Sequence, residues 1–218
     1  MLILMSIRKM KRILERTNIQ DYTLEGIQGR ELKDLTVGVI GTGRIGRTVI
    51  SNLSGFGCRI LAYDLYENEE VKRYGQYVSL EELWREADVI TMHTPLTEEN
   101  FHLVNEKTLS QMKDGVVIVN TARGALIDSE ALIAGIENGK IGAAALDVVE
   151  NEFGLYYYDH KSDVLSNREL AILRGFPNVT VSHHMAFYTD NYTKTVVRDS
   201  LSSCKLFMEG KKNPWEVC

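Results

Sequence analysis

The 218-residue chain is short of cysteine and proline and has no long apolar run. Cys58, Cys204 and Cys218 are odd in number, far apart and free of any CxxC spacing. That excludes a disulfide framework and a cysteine-built zinc site, and it suits a reducing cytoplasm. No stretch is long and apolar enough to span a bilayer. The opening MLILM is apolar for five residues, has no basic region before it and soon runs into arginine and lysine, so it does not read as a signal peptide. Net positive charge is also lacking. A formal charge of −5 gives no general attraction for nucleic acid or anionic membrane, and Arg8, Lys9, Lys11, Arg12 and Arg16 read as the solvated face of a helix. There is no internal repeat and no low-complexity segment.

What is present is an ordinary globular composition, 44% apolar and 25% charged, in a chain long enough to bury a sizeable core. The most informative stretch is TVGVIGTGRIGRTVISNLSGFGCRILAYD, Thr36 to Asp64. Val37, Val39 and Ile40 suit a strand buried on both faces. In Gly41-Thr42-Gly43-Arg44-Ile45-Gly46, the first glycine permits a tight turn and the second a close approach of backbone to a pyrophosphate. The third lets a helix pack tightly on the strand. A helix starting here aims its free N–H groups at phosphate. Ile45, Val49, Ile50 and Leu53 recur at helical spacing as its apolar face, and Ile60 to Tyr63 form a second strand. Asp64, 18 residues beyond Gly46, can accept hydrogen bonds from an adenosine ribose and would repel a 2′-phosphate. The stretch is a dinucleotide site that favours NAD over NADP.

Along the rest of the chain, strands and helices alternate. Residues 2–16 form one amphipathic helix whose apolar face wants a cover, and 17–35 form a loop. Ser79 with Glu82 is a capping-box pattern. Strands are expected at 89–92, 116–120, 143–148 and 179–181, helices at 105–112, 128–138 and 190–209, and a long irregular excursion at 150–175 with a short helix at 168–174. This is α/β order and argues for a doubly wound parallel sheet.

Ligands of such sheets lie outside the carboxyl ends of the strands. The residues expected there are Asp64, His93-Thr94-Pro95, Asn120 to Gly124 including Arg123, Asp147 with Glu150 and Glu152, and His183-His184. An arginine can clamp a 2-oxo acid through paired N–H groups. A carboxylate beside a histidine favours its protonated form, as a proton donor near neutral pH requires. Glu150 reads as a solvated loop acid. His93 reads as structural or as part of the cleft, and Tyr156 to Tyr158 as lining the site or packing the loop. The adjacent pair His183-His184 points to opposite sides and does not read as a metal site.

The segments TVGVIGTGRIG, MHTPLTEEN, VNTARGALID, AALDVVENE and VSHHMAFYTD together resemble the D-isomer-specific 2-hydroxyacid dehydrogenases, most closely their D-lactate dehydrogenase branch. The resemblance implies a Rossmann NAD-binding domain with remnants of a second, substrate domain, divided as an interdomain or dimer helix at 1–16, the NAD-binding domain at 17–187 and a returning C-terminal helix at 188–218. It implies that Arg123 binds substrate, that His184 is the acid/base and that Glu152 partners it, although the family usually has proline where His183 stands. Gly41, Gly43, Arg44, Ile45, Gly46, Asp64, Thr94, Pro95, Asn100, Thr121, Ala122, Arg123 and Asp147 match positions that contact NAD.

The expected activity is reversible hydride transfer between NADH and a 2-oxo acid such as pyruvate, in a cytoplasmic homodimer with no nucleic-acid or membrane partner. Most of the family's substrate domain precedes the helix with which this chain begins. The alternative is therefore a truncated NAD-binding or dimerising module with little turnover.

Overall fold

The computed structural model describes residues 1–215, so Cys218 and the end of the expected C-terminal segment lie outside the described residues. The chain divides into two compact units, the first spanning Met1–His183 and the second beginning at His184.

The first unit is built on a seven-stranded sheet. In chain order its strands are β1 (Thr36–Ile40), β2 (Arg59–Tyr63), β3 (Gln76–Tyr77), β4 (Val89–Met92), β5 (Val116–Asn120), β6 (Ile141–Leu146) and β7 (Val179–Val181). They lie side by side as β3-β2-β1-β4-β5-β6-β7, every pair parallel. The order reverses between β1 and β4, which opens a crevice at their carboxyl ends. The β-branched runs do what two-sided burial requires. In β5, Val116 and Ile118 join the core on one face while Val117 and Val119 join the core on the other. One face is covered by α4 (Leu80–Glu86), α5 (Glu106–Gln111), α6 (Ser129–Glu137) and α7 (Arg168–Gly175), the other by α1 (Leu2–Ile7) and α3 (Arg44–Ser54).

The opening helix departs from expectation. It is not continuous from 2 to 16 but breaks at Lys9, whose φ is +52°, into α1 and α2 (Met10–Asn18). Alpha1 buries Leu2, Ser6 and Ile7 and packs on β5, β6 and β7, where the small residues of β6 allow close approach. Alpha2, by contrast, keeps all its residues at least partly exposed. Residues 1–16 thus belong to the same compact unit as the sheet. At α4, Ser79 accepts the Glu82 N–H, which is one half of the expected capping box. A two-sided box occurs instead at α5, between Asn105 and Thr108. The excursion after β6 holds α7 and buries Tyr156, while Tyr157 and Tyr158 are exposed.

The second unit carries α8 (Asp190–Met208), capped by Thr189, whose hydroxyl accepts the Tyr192 N–H. Its apolar positions Val197, Leu201 and Met208 are exposed. Among the described residues, no helix is long and apolar enough to cross a membrane.

Candidate active site

The three glycines of the turn after β1 have three different physical jobs. Gly41 has φ +89°, and a Cβ there would lie 2.6 Å from the His93 carbonyl oxygen. A Cβ on Gly46 would lie 1.9 Å from the Gly41 carbonyl oxygen, so the helix sits directly on the turn. Around Gly43 no described atom lies within 4 Å of a Cβ position, which leaves open space over exposed backbone. Gly43 is the N-cap of α3, and among the described residues no side chain caps it. The amide donors of the first turn are therefore left for an anion. Ile45 does not join the buried face as its spacing suggests; it is 65% exposed, because the inward position at that turn is held by Gly46. This open, donor-rich cradle fits a dinucleotide pyrophosphate.

Asp64, at the exit of β2, is tied into the cradle. Its Oδ2 accepts from the Thr42 N–H (2.5 Å) and hydroxyl (3.0 Å), and its Oδ1 from the Tyr66 N–H (3.2 Å). Partial burial pushes the carboxyl pKa up, but these hydrogen bonds outweigh it and hold the group below its ordinary value. The Thr42 hydroxyl also meets the Tyr77 hydroxyl at 2.7 Å, and Tyr77 in turn accepts the Asn68 N–H. Thr42 and Tyr77 were not signalled by sequence, since their bonds depend on β1 and β3 flanking β2.

At the end of β4, largely buried His93 has its Nε2 3.0 Å from the Thr91 hydroxyl. Burial lowers its pKa from 6.5 to about 4, so the folded protein holds it neutral while the unfolded chain takes up a proton below about pH 6.5. Its contribution to stability is intact above that pH and is lost as pH falls toward 4, by up to about 3 kcal/mol. Urea unfolding of wild type and His93→Asn between pH 7 and 4.5 should show wild type losing stability faster; parallel losses would sink the assignment. Beyond it, half-buried Thr94 leads to exposed Pro95. Asn100 donates to the Pro95 carbonyl (2.7 Å) and accepts the Thr97 N–H (2.8 Å), so its amide shapes this loop.

The end of β5 presents Arg123. Fully buried Asn120 accepts the Ala122 N–H (2.9 Å) and donates to the Arg123 carbonyl (2.8 Å), closing Thr121-Ala122-Arg123 into a turn with the arginine exposed. One guanidinium nitrogen donates to the Ala122 carbonyl at 2.7 Å; a guanidinium has five N–H donors, so others remain. At the end of β6, Asp147 is buried and accepts the Ser182 hydroxyl at 2.5 Å, a partner contributed by the end of β7. Glu152 accepts the Val149 N–H at 3.2 Å. Burial, followed by the charges of Glu152 and Asp147, pushes the Tyr156 phenol far up and keeps it protonated.

Glu150 is not a solvated acid. Its Oε1 lies 2.7 Å from His102 Nε2, and its Oε2 accepts the Ser129 N–H at 3.0 Å. The cradle, Asp64, Thr94, Arg123, Asp147 and Glu152 all follow the carboxyl ends of parallel strands and so share one edge of the sheet. His183 is exposed at the end of this unit. In the second unit His184 has φ +56° and meets Phe187 edge-on, with ring centroids 6.0 Å apart. Among the described residues, no three His, Cys, Asp or Glu side chains group as metal ligands.

Comparison with known proteins accounts for this arrangement. Residues 1–186 match the NAD binding domain of the D-isomer specific 2-hydroxyacid dehydrogenases. An aromatic 2-oxoacid reductase of Clostridium sporogenes is 45% identical over 213 residues, covering 97% of this chain and 64% of that protein. The structure of a D-lactate dehydrogenase from Treponema pallidum superposes with a TM-score of 0.94 at 36% identity, over 99% of this chain and 66% of that one. A D-lactate dehydrogenase with NAD+ from Lactobacillus jensenii gives 0.91 at 29%, over 100% and 66%. The chain therefore spans just under two thirds of the length of the Clostridium relative, and it belongs to the D-isomer specific 2-hydroxyacid dehydrogenase family.

Proposed function

We propose that this chain carries the cofactor site and the reacting side chains of an NAD-dependent dehydrogenase that interconverts a 2-oxo acid and its D-2-hydroxy acid. The observation that supports this most is the common sheet edge: an arginine turn and an acid loop follow β5 and β6, on the edge where the glycine cradle follows β1. Bound NADH supplies the hydride for the substrate carbonyl carbon. The Arg123 turn binds and polarises the substrate through paired N–H donors. His184 gives a proton to the carbonyl oxygen as it becomes a hydroxyl, and Glu152 favours the histidine's charged form. Gly41, Gly43, Gly46, Arg44 and Ile45 receive the pyrophosphate side of NAD, and Asp64 the ribose. Thr94, Pro95, Asn100, Thr121, Ala122 and Asp147 line the remainder.

The names of relatives include an aromatic 2-oxoacid reductase and a D-lactate dehydrogenase, so pyruvate, a larger aliphatic acid and an aromatic one are the substrates to try. Purified chain should raise NADH fluorescence on binding and oxidise NADH at 340 nm with at least one of the three. Binding without oxidation would leave the second reading, a cofactor-binding, self-associating module. The exposed Leu14, Ile19 and Leu24 favour that module, and a sedimentation measurement giving only monomer at micromolar concentration would remove its self-association. No binding would remove both.

A further inference from the structure

His102, which the proposed chemistry does not use, joins three loops on the carboxyl edge. Its backbone N–H donates to the Ala125 carbonyl (2.9 Å), Val104 N–H to Leu126 (3.0 Å) and Asp128 N–H to Val104 (2.9 Å), so the loop after β4 lies along the segment that follows Arg123. His102 has φ +51°, a region few residues with a side chain adopt. It is held there by the Asn105 amide on its carbonyl (2.8 Å) and by Phe101 stacked on its ring, with centroids 4.0 Å apart. The ring stands between two carboxylates, with Nε2 2.7 Å from Glu150 and Nδ1 3.7 Å from Asp128. Glu150 also accepts the Ser129 N–H and, through its carbonyl, the Asn167 amide (2.8 Å). Gly124 closes the join: a Cβ there would lie 2.0 Å from the Val149 oxygen and 2.5 Å from the Glu150 nitrogen.

Arg123 adjoins Gly124, and Glu152 is two residues beyond Glu150. We propose that the His102–Glu150 pair is a positioning clamp that sets the Arg123 turn against the Glu152 loop. The proposal rests on the dehydrogenase reading above. The pair is mostly screened from water, with His102 29% and Glu150 18% exposed in their side chains, so water competes little for its hydrogen bond. Its effect is geometric: misplacing a substrate-positioning group by about 1 Å can lower rate by about a hundredfold.

The test compares His102→Leu with His102→Gln, whose amide N–H can still reach Glu150. In the full chain, His102→Leu should lower kcat/KM for the 2-oxo acid by about tenfold to a hundredfold, leave NADH affinity unchanged and speed amide exchange in 121–128 and 147–152 together. His102→Gln should recover most of both. Exchange rising only in 100–105, or NADH affinity falling in step with kcat/KM, would overturn the clamp. If wild type turns over no 2-oxo acid, the dehydrogenase reading fails by itself, and the exchange pattern still decides whether the pair couples the two segments. Should His102→Leu not fold, His102→Asn, which tolerates the positive φ but whose shorter amide falls short of Glu150, is read by the same criteria.

Discussion

Gly46→Ala should abolish measurable NADH binding and lower the melting temperature. The added methyl would lie 1.9 Å from the Gly41 carbonyl oxygen, a backbone atom that cannot swing away. Relief requires α3 to lift off the turn or the turn to leave the His93 backbone on which Gly41 sits. Overpacking of this kind costs about 1–3 kcal/mol, or more where backbone must move, a drop of up to about 10 °C for a domain of this size. The cofactor effect is larger than the stability effect, because any lift of α3 carries the amide donors of its first turn away from the phosphates. Gly43→Ala is the control: with open space at its Cβ, it should leave the melting temperature near wild type. Calorimetry and NADH fluorescence on the two variants check both statements. A Gly46→Ala protein that melts and binds as wild type does would mean the contact between α3 and the turn is not as described.

His184→Gln should leave NADH affinity unchanged and cut turnover of the 2-oxo acid by about a hundredfold to ten-thousandfold, the usual range for removing a general acid. Glutamine keeps a polar amide of similar reach but cannot carry a transferable proton near neutral pH. Steady-state rates and fluorescence titration on the same preparation separate the two quantities. Loss of both in proportion would show that His184 holds structure rather than supplying a proton.

Much of this architecture was legible in the chain because it is written in local patterns. The runs at 37–40, 89–92, 116–120 and 179–181 became strands within a residue or so of where hydrophobic pattern placed them. A fully buried strand has to be apolar on both faces. Asp128 capping α6 and the stop at Asn138-Gly139, where Gly139 has φ +80°, were equally local. The long helix expected at 2–16 failed for a non-local reason. Once Leu2 and Ile7 are buried, the chain turns away at Lys9, and no local residue pattern announces that.

The chemistry divides in the same way. Sequence by itself determined the dinucleotide turn, the acid after β2 and the residues that leave each parallel strand, because spacing and strand polarity are enough to place them on one edge. Only the tertiary structure decided what each is bonded to. Asp64 is latched to Thr42 across 22 positions, Asp147 to Ser182 across 35, and Glu150 is turned from solvent by His102 across 48. Such bonds join loops that are distant in the chain but neighbours where adjacent strands end. A pattern of period two or 3.6 records which face a residue occupies, and carries no information about which distant loop will stand opposite it.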